Sequence, residues 1–222
     1  MDELNIIPYA FDRDQEVLDL LNRVFQPWTG DLEYFKWKYS APIPSECTFP
    51  RAWIIEHQGR IIAFNGYLPR SARLNGQPGW TVQSFDTATD PDYKGQGLFG
   101  KLQKQVYAQM SDYGLQWVYG WTSDIGFHVF TKKVGWNVWG KQRYLLRVLN
   151  ADRFLHSKMA NPFLRRLGST ALTVWSRLKS PKQSKEVKVK EEESFPSGTD
   201  PLCEIIMQGF KTVCFRDRAY LN

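Results

Sequence analysis

Asp90-Pro91-Asp92-Tyr93-Lys94-Gly95-Gln96-Gly97-Leu98-Phe99-Gly100-Lys101-Leu102 lies between a stretch that reads as a strand, residues 80–89, and one that reads as a helix, residues 98–113. Asp90-Pro91-Asp92 breaks the strand pattern, since proline has no N–H to give a ladder. A helix should then begin near Leu98 and run to about Tyr113. Glycines at such a junction let backbone N–H groups come close to phosphate oxygens, and the start of a helix adds positive potential. The plain alternative is an ordinary glycine-rich turn.

Two phosphate-binding patterns fit this loop poorly. Gly95, Gly97 and Gly100 spell GxGxxG. A dinucleotide loop needs its first strand to run almost into the first glycine. Here a proline turn intervenes, and two strands and two helices come earlier. Gly95 through Lys101 spells GxxxxGK, but Leu102 follows where a nucleotide phosphate loop needs a hydroxyl for magnesium.

Outward from the loop, the chain alternates. Residues 4–8 read as a strand. Asp12 with Gln15 resembles a capping box before a helix carrying Val17, Leu18, Leu20, Leu21, Val24 and Phe25. Residues 31–39 read as a second helix. Two apolar runs, 52–57 and 60–68, flank Gln58-Gly59 and predict a hairpin. Asn75-Gly76 and Pro78-Gly79 mark turns before the strand at 80–89. Residues 116–121 read as a strand. Ser123-Asp124 caps a helix through 133, which Gly135 ends, and 136–148 alternates like a strand or hairpin. Strands alternating with helices imply an α/β sheet of mixed direction.

The chain has 222 residues, enough for one domain with an appendage. With 42% hydrophobic residues a packed core is available. No apolar run approaches the roughly 18 residues a membrane span needs, and the acidic start Met1-Asp2-Glu3 does not read as a signal peptide. Three scattered cysteines and three histidines argue against a disulfide scaffold and a structural metal site. The expected compartment is the cytoplasm. Net charge is +6, but residues 151–190 hold ten Lys and Arg against Asp152 and Glu186, a local +8. The remainder carries −2, so the body has no basic footprint for nucleic acid.

A third pattern fits best. Lys94-Gly95-Gln96-Gly97 after Asp90-Pro91-Asp92-Tyr93 resembles the acyl-CoA pyrophosphate loop of the GNAT N-acetyltransferase family, Arg/Gln-x-x-Gly-x-Gly/Ala. Lys94 takes the basic position and Gly97 the first glycine. Phe99 stands where a second small residue is usual and Gly100 follows it, as in a branch whose loop reads RGRGLF. The element order over residues 4–148 also resembles the family's. Phe130-Thr131-Lys132-Lys133-Val134-Gly135-Trp136 resembles the family's fYeklGF helix ending.

The resemblance implies a mixed, mostly antiparallel sheet flanked by helices and transfer of an acetyl group from acetyl-CoA to an amine. It maps pantetheine pairing to Thr87, Ala88 and Thr89, and pyrophosphate binding to Lys94, Gly95, Gln96, Gly97, Leu98, Phe99 and Gly100. Lys101 and Lys104 offer further positive charge. Asp86 is the leading candidate base, with Glu56 and His57 behind it. The family's thiolate acid is a Tyr four residues before the Gly of its GF pair; here Thr131 stands there. His128, one turn earlier, is the candidate acid in its place, and Tyr119 is another possibility. Asp124 falls where relatives carry an Asn near the cofactor, but reads as a helix cap. The acceptor, a small-molecule or peptide amine, is not legible. A GNAT-fold binding module with weak or no activity is the competing reading.

The expected domains are 1–150, binding acetyl-CoA, and 151–222. Asn161-Pro162 should open a helix whose apolar stripe runs through Leu164, Leu167, Ala171, Val174, Trp175 and Leu178. A packing helix that joins two units is preferred here over a membrane-surface anchor. Residues 180–198 read as a polar linker or an edge strand. Residues 202–214 return to apolar patterning, and 217–222 echo 31–36. This C-terminal part is therefore expected to be a partial second unit, with self-association, or a longer natural chain, as a consequence.

Overall fold

The computed structural model describes residues 4–25, 30–40, 43, 46–141, 151–156, 161–178 and 193–214. Two compact units divide the chain: Met1–Asn137 with Ser194–Asn222, and Val138–Glu193. The sequence reading divides the chain at residue 150 instead.

The first unit is built on a sheet. Strand β1 (Asn5–Pro8) leads into helices α1 (Asp14–Val24) and α2 (Leu32–Ser40), followed by β2 (Ala52–His57), β3 (Arg60–Leu74) and β4 (Gln77–Thr89). A short turn, Pro91–Tyr93, precedes α3 (Leu98–Gln109), then come β5 (Leu115–Gly120) and α4 (Asp124–His128). Strands β1 to β4 pair antiparallel in chain order, and β5 joins β4 in parallel. The sheet is thus mixed and mostly antiparallel, with helices on its faces.

Both hairpins turn where the sequence indicates. Gln58 and Gly59 take φ of 50° and 75°, and Asn75 and Gly76 take 51° and 82°. Positive φ at both central residues matches the right-handed twist of the strands. Pro78-Gly79 is not a turn: both lie inside β4, opposite Arg73 and Ala72. The capping box at Asp12 is not formed either. Arg13 is the first residue of α1's cap, and Arg13 bonds Glu16 and Glu56 while Glu16 accepts from the Ile61 N–H at 2.7 Å.

Alternation puts the core on both faces. Trp53, Ile55, Ile62 and Val82 pack with Leu98, Leu102 and Val106 of α3. Ala52, Ile54, Ile61 and Phe64 pack with Val17, Leu18, Leu20 and Leu21 of α1 and Phe35 and Tyr39 of α2. Each such buried side chain contributes about 1.5–3 kcal/mol. Leu98 and Leu102 therefore fix the start of α3, and with it the loop ahead.

Beyond its pairing with β2, the long β3 receives β6 (Val213–Cys214) at Ala72 and Arg73. Helix α7 (Thr199–Gln208) precedes β6. The Gly76 N–H donates to the Lys211 carbonyl at 2.9 Å. Residues 194–214 thus return to the first unit's sheet. The second unit contains α5 (Ala151–His156) and α6 (Pro162–Leu178). Asn161 caps α6 as expected, accepting from the N–H groups of Phe163 and Leu164 at 3.0 and 3.3 Å. Residues 136–141 form no strand; the rest of the expected 136–148 strand, most of the 180–198 stretch and the 217–222 echo lie outside the described residues.

Candidate active site

The loop between β4 and α3 is open on its outer side. Gly95 and Gly97 take φ of 83° and 70°, a region that costs other L-residues about 1–2 kcal/mol. A Cβ added at Gly95, Gly97 or Gly100 would meet nothing within 4 Å. Gly97 is the N-cap of α3 and brings no side chain to satisfy the helix's first amides. The first turn carries no acidic residue, and the Lys101 N–H begins the helical ladder on the Gly97 carbonyl at 3.1 Å. The N–H groups of Leu98, Phe99 and Gly100 have no acceptor within the helix, and Lys94, Lys101 and Lys104, close by in sequence, are exposed. That arrangement suits a doubly charged phosphate group.

Behind the loop, Asp90 is wholly buried. Its Oδ1 accepts the Asp92 N–H at 3.1 Å, and its Oδ2 meets Arg23 at 2.5 Å and Arg60 at 3.4 Å. The carboxylate ties the loop's first turn to α1 and β3. Tyr93 adds a second tether, its hydroxyl 2.9 Å from His57 Nδ1. Neither anchor is visible locally, because the partners lie 30 to 67 residues away in sequence.

Strands β4 and β5 part just before the loop. Their pairing ends at Ser84 and Gly120, while β4 stays paired with β3 as far as Thr89. One backbone edge of β4 through Thr87, Ala88 and Thr89 thus lies past the last β5 pair. Gly120 is needed at the fork: a Cβ there would lie 2.8 Å from the Ser84 carbonyl oxygen and 3.2 Å from the Trp136 ring.

Asp86 lies where β4 bulges. The register slips between Phe64 and Gly66, and Asp86 takes φ of 48°. Bulges re-aim side chains. Here the carboxylate is aimed at α2, where Lys38 Nζ lies at 2.7 Å and the Tyr39 hydroxyl at 3.2 Å. Lys38 also stands 5.0 Å from the centre of the Phe85 ring, and Tyr39 stacks on Phe85 at 5.3 Å. Burial, then the charge of Asp86, holds the Tyr39 phenol well above its usual range. On the other side of the bulge, Thr87 donates to Asn65, which also bonds Ser84 at 3.1 Å.

An aromatic bracket joins α3 to the end of α4. Phe99 meets Phe130 edge-on at 4.9 Å, Phe130 packs against Trp136 at 4.5 Å, and Trp136 Nε1 donates to the Tyr107 hydroxyl at 2.6 Å. Phe99, large where the loop pattern has a small residue, thereby gains a packing role. Helix α4 continues as a wider turn over Val129–Lys133, a geometry frequent at functional sites. Ser123 caps α4, not Asp124. The Thr131 hydroxyl donates to the Phe127 carbonyl at 2.7 Å, so it is committed to the helix. His128 is exposed on α4. Of the weaker base candidates, Glu56 is held by Arg13 and His57 by Tyr93.

The family described as acetyltransferase (GNAT) domain matches residues 5–139, more than half of the chain. The chain belongs to the GNAT acetyltransferase family. No curated protein matches it. Solved structures share the fold of this GNAT chain at low identity. A predicted acetyltransferase with acetyl-CoA from Clostridium acetobutylicum is 14% identical, with TM-score 0.53, over 65% of this chain and 96% of that one. An acetyltransferase from Trypanosoma brucei is 17% identical, with TM-score 0.51, over 65% and 100%. An aminoglycoside N-acetyltransferase in complex with CoA is 13% identical, with TM-score 0.50, over 66% and 96%. In this GNAT domain the open glycine loop, the uncapped α3 amides and the parted β4 edge fit a pyrophosphate with an amide-bearing arm.

Proposed function

We propose that the chain is an N-acetyltransferase that moves the acetyl group of acetyl-CoA to a primary amine of a small molecule or peptide. The observation that supports this most is continuity. The parted edge at Thr87–Thr89 runs through the anchored turn at Asp90 into the open amides of Gly97 to Gly100. A pantetheine arm and a pyrophosphate need those two surfaces in that order. Lys94, Lys101 and Lys104 supply positive charge to phosphates.

Acetyl-CoA supplies an activated acyl group, and the protein must then hold it, accept the amine's proton and stabilise the departing thiolate. Asp86, on the residue before the pantetheine edge, is the proposed base. Lys38 and Tyr39 hold its carboxylate in place. His128 remains the proposed source of a proton for the thiolate, since the Thr131 hydroxyl is bonded to the helix. The cytoplasm is the proposed compartment; Cys47, Cys203 and Cys214 form no disulfide. Among the described residues no helix is long and apolar enough to cross a membrane.

The threonine at the family's acid position favours a second reading, a GNAT-fold module that binds acetyl-CoA without turnover. Calorimetric titration with acetyl-CoA, followed by turnover on a panel of primary amines, separates the two. Binding with turnover supports the enzyme, binding alone the module, and absence of binding sinks both.

A further inference from the structure

One residue of β3 stands opposite two of β4. Phe64 pairs with Ala88 and Gly66 with Phe85, so Asn65 alone faces Asp86 and Thr87, and the extra residue makes a bulge. Phe64 and Gly66 turn toward Phe35 and Tyr39 of α2, and alternation turns Asn65 to the opposite face of the sheet. There it is wholly buried. Its Nδ2 donates to the Ser84 hydroxyl at 3.1 Å and to the Gly66 carbonyl at 3.2 Å, and its Oδ1 accepts from the Thr87 hydroxyl. Ser84 is the last β4 residue paired with β5, and Thr87 opens the edge proposed for pantetheine. One amide thus ties together the two residues that flank Phe85-Asp86.

We propose that Asn65 is a positioning residue for the base, which rests on the reading of Asp86 as the proton acceptor. Asp86 takes φ of 48°, a left-handed backbone that persists in a non-glycine residue only where its surroundings hold it. Lys38 and Tyr39 hold the carboxylate from the α2 face. They fix where the side chain ends, not the peptide bonds on either side of it. Asn65 supplies that second constraint from the other face, through Ser84 and Thr87. Asparagine suits the task because one planar amide both donates and accepts, whereas an ionised Asp only accepts and Leu does neither. Ala88 and Thr89 keep their own pairs with Phe64 and Ala63. Loss of the Asn65 amide should therefore shift Asp86 and leave acetyl-CoA binding close to native.

Two substitutions in the full chain cut the tie: Asn65→Ala, and Thr87→Val, which removes one hydroxyl and keeps the branched shape. Circular dichroism with thermal melting checks folding, and Thr87→Val carries the test if Asn65→Ala does not fold. Calorimetry with acetyl-CoA should give near-native affinity. A crystal structure of the variant should show Asp86 out of the left-handed region or beyond ion-pair distance of Lys38. Turnover is read with acetyl-CoA and whichever of benzylamine, spermidine and glucosamine the native chain acetylates fastest; should none be acetylated, the crystal structure decides alone. Each variant should lower kcat about tenfold. It should lower kcat no further in a chain that also carries Asp86→Asn, because both changes disable one group. Asp86 unmoved in the crystal, unchanged kcat, or a tenfold loss that recurs in the Asp86→Asn chain each overturns the proposal and spares the base assignment. Full activity in the Asp86→Asn chain overturns the base assignment and this proposal together.

Discussion

Lys38 Nζ lies 2.7 Å from Asp86 Oδ2, an ion pair between the last turn of α2 and the bulge of β4. The two residues are 48 apart in sequence. The pair fixes the carboxylate that the proposed chemistry needs. Lys38→Met should therefore free the Asp86 carboxylate from its fixed position and lower kcat/KM on the acceptor, with acetyl-CoA affinity near native. Unchanged kcat/KM would show that Lys38 only stabilises the fold.

Asp86→Asn should lower kcat/KM by about 10²–10⁴, the worth of a positioned base, while leaving the calorimetric affinity for acetyl-CoA close to native. Full activity in this variant would pass the role to another group.

Gly97 and Gly100 differ in what a side chain would do. At Gly97, with φ of 70°, Gly97→Ala should cost about 1–2 kcal/mol in thermal or urea unfolding. Gly100 is an ordinary helical position with open space around it, so Gly100→Ala should gain about 0.5–1 kcal/mol. Gly97→Glu places an anion at the uncapped start of α3 and should abolish acetyl-CoA binding in a chain that circular dichroism shows to be folded.

Gly66 makes room for the Asp86 cluster. A Cβ there would lie 2.4 Å from the Tyr39 hydroxyl and 3.2 Å from the Phe85 ring. Gly66→Ala should displace Tyr39, destabilise the fold by about 1–3 kcal/mol and lower turnover. A crystal structure of the variant with Tyr39 still within hydrogen-bond distance of Asp86 would contradict this.

Alkaline pH should unfold the chain cooperatively. Tyr39, Tyr67 and Tyr107 all have phenols raised above the usual value, burial being the first cause in each. In the unfolded chain they ionise near pH ~10. Raised folded values mean that their stabilising contribution is complete below that pH and is lost as pH climbs above it. Each phenol removes about 1.4 kcal/mol per pH unit in that window. Tyrosinate absorbance and far-ultraviolet dichroism should therefore change together. Tyr67→Phe should make the loss of stability with pH shallower by about one proton.

Much of the fold was legible because its signals are local. Gln58-Gly59 and Asn75-Gly76 carry their turns in their own backbone preferences, Asn161 caps its helix within three residues, and the apolar spacing of α1 states which face is buried. The loop from Asp90 to Gly100 was readable for the same reason: glycine and proline act on their own peptide bonds. Asp86 was named from its position before that loop, but not what surrounds it. Lys38, Tyr39 and Gly66 meet Asp86 only because antiparallel pairing and a bulge bring α2, β3 and β4 to one point. Pro78-Gly79 carried the signature of a turn and lies in a strand, since eleven cross-strand pairs between β3 and β4 outweigh a local preference. Asp12 is not the cap either: the N-cap residue of α1 is Arg13, whose side chain bonds Glu16 and Glu56. The sequence alone determined where backbone geometry is constrained within a few residues. Tertiary structure alone decided which charges meet, which strands part and which apolar faces are left in water, because those depend on loop closures across 30 or more residues that no local preference encodes.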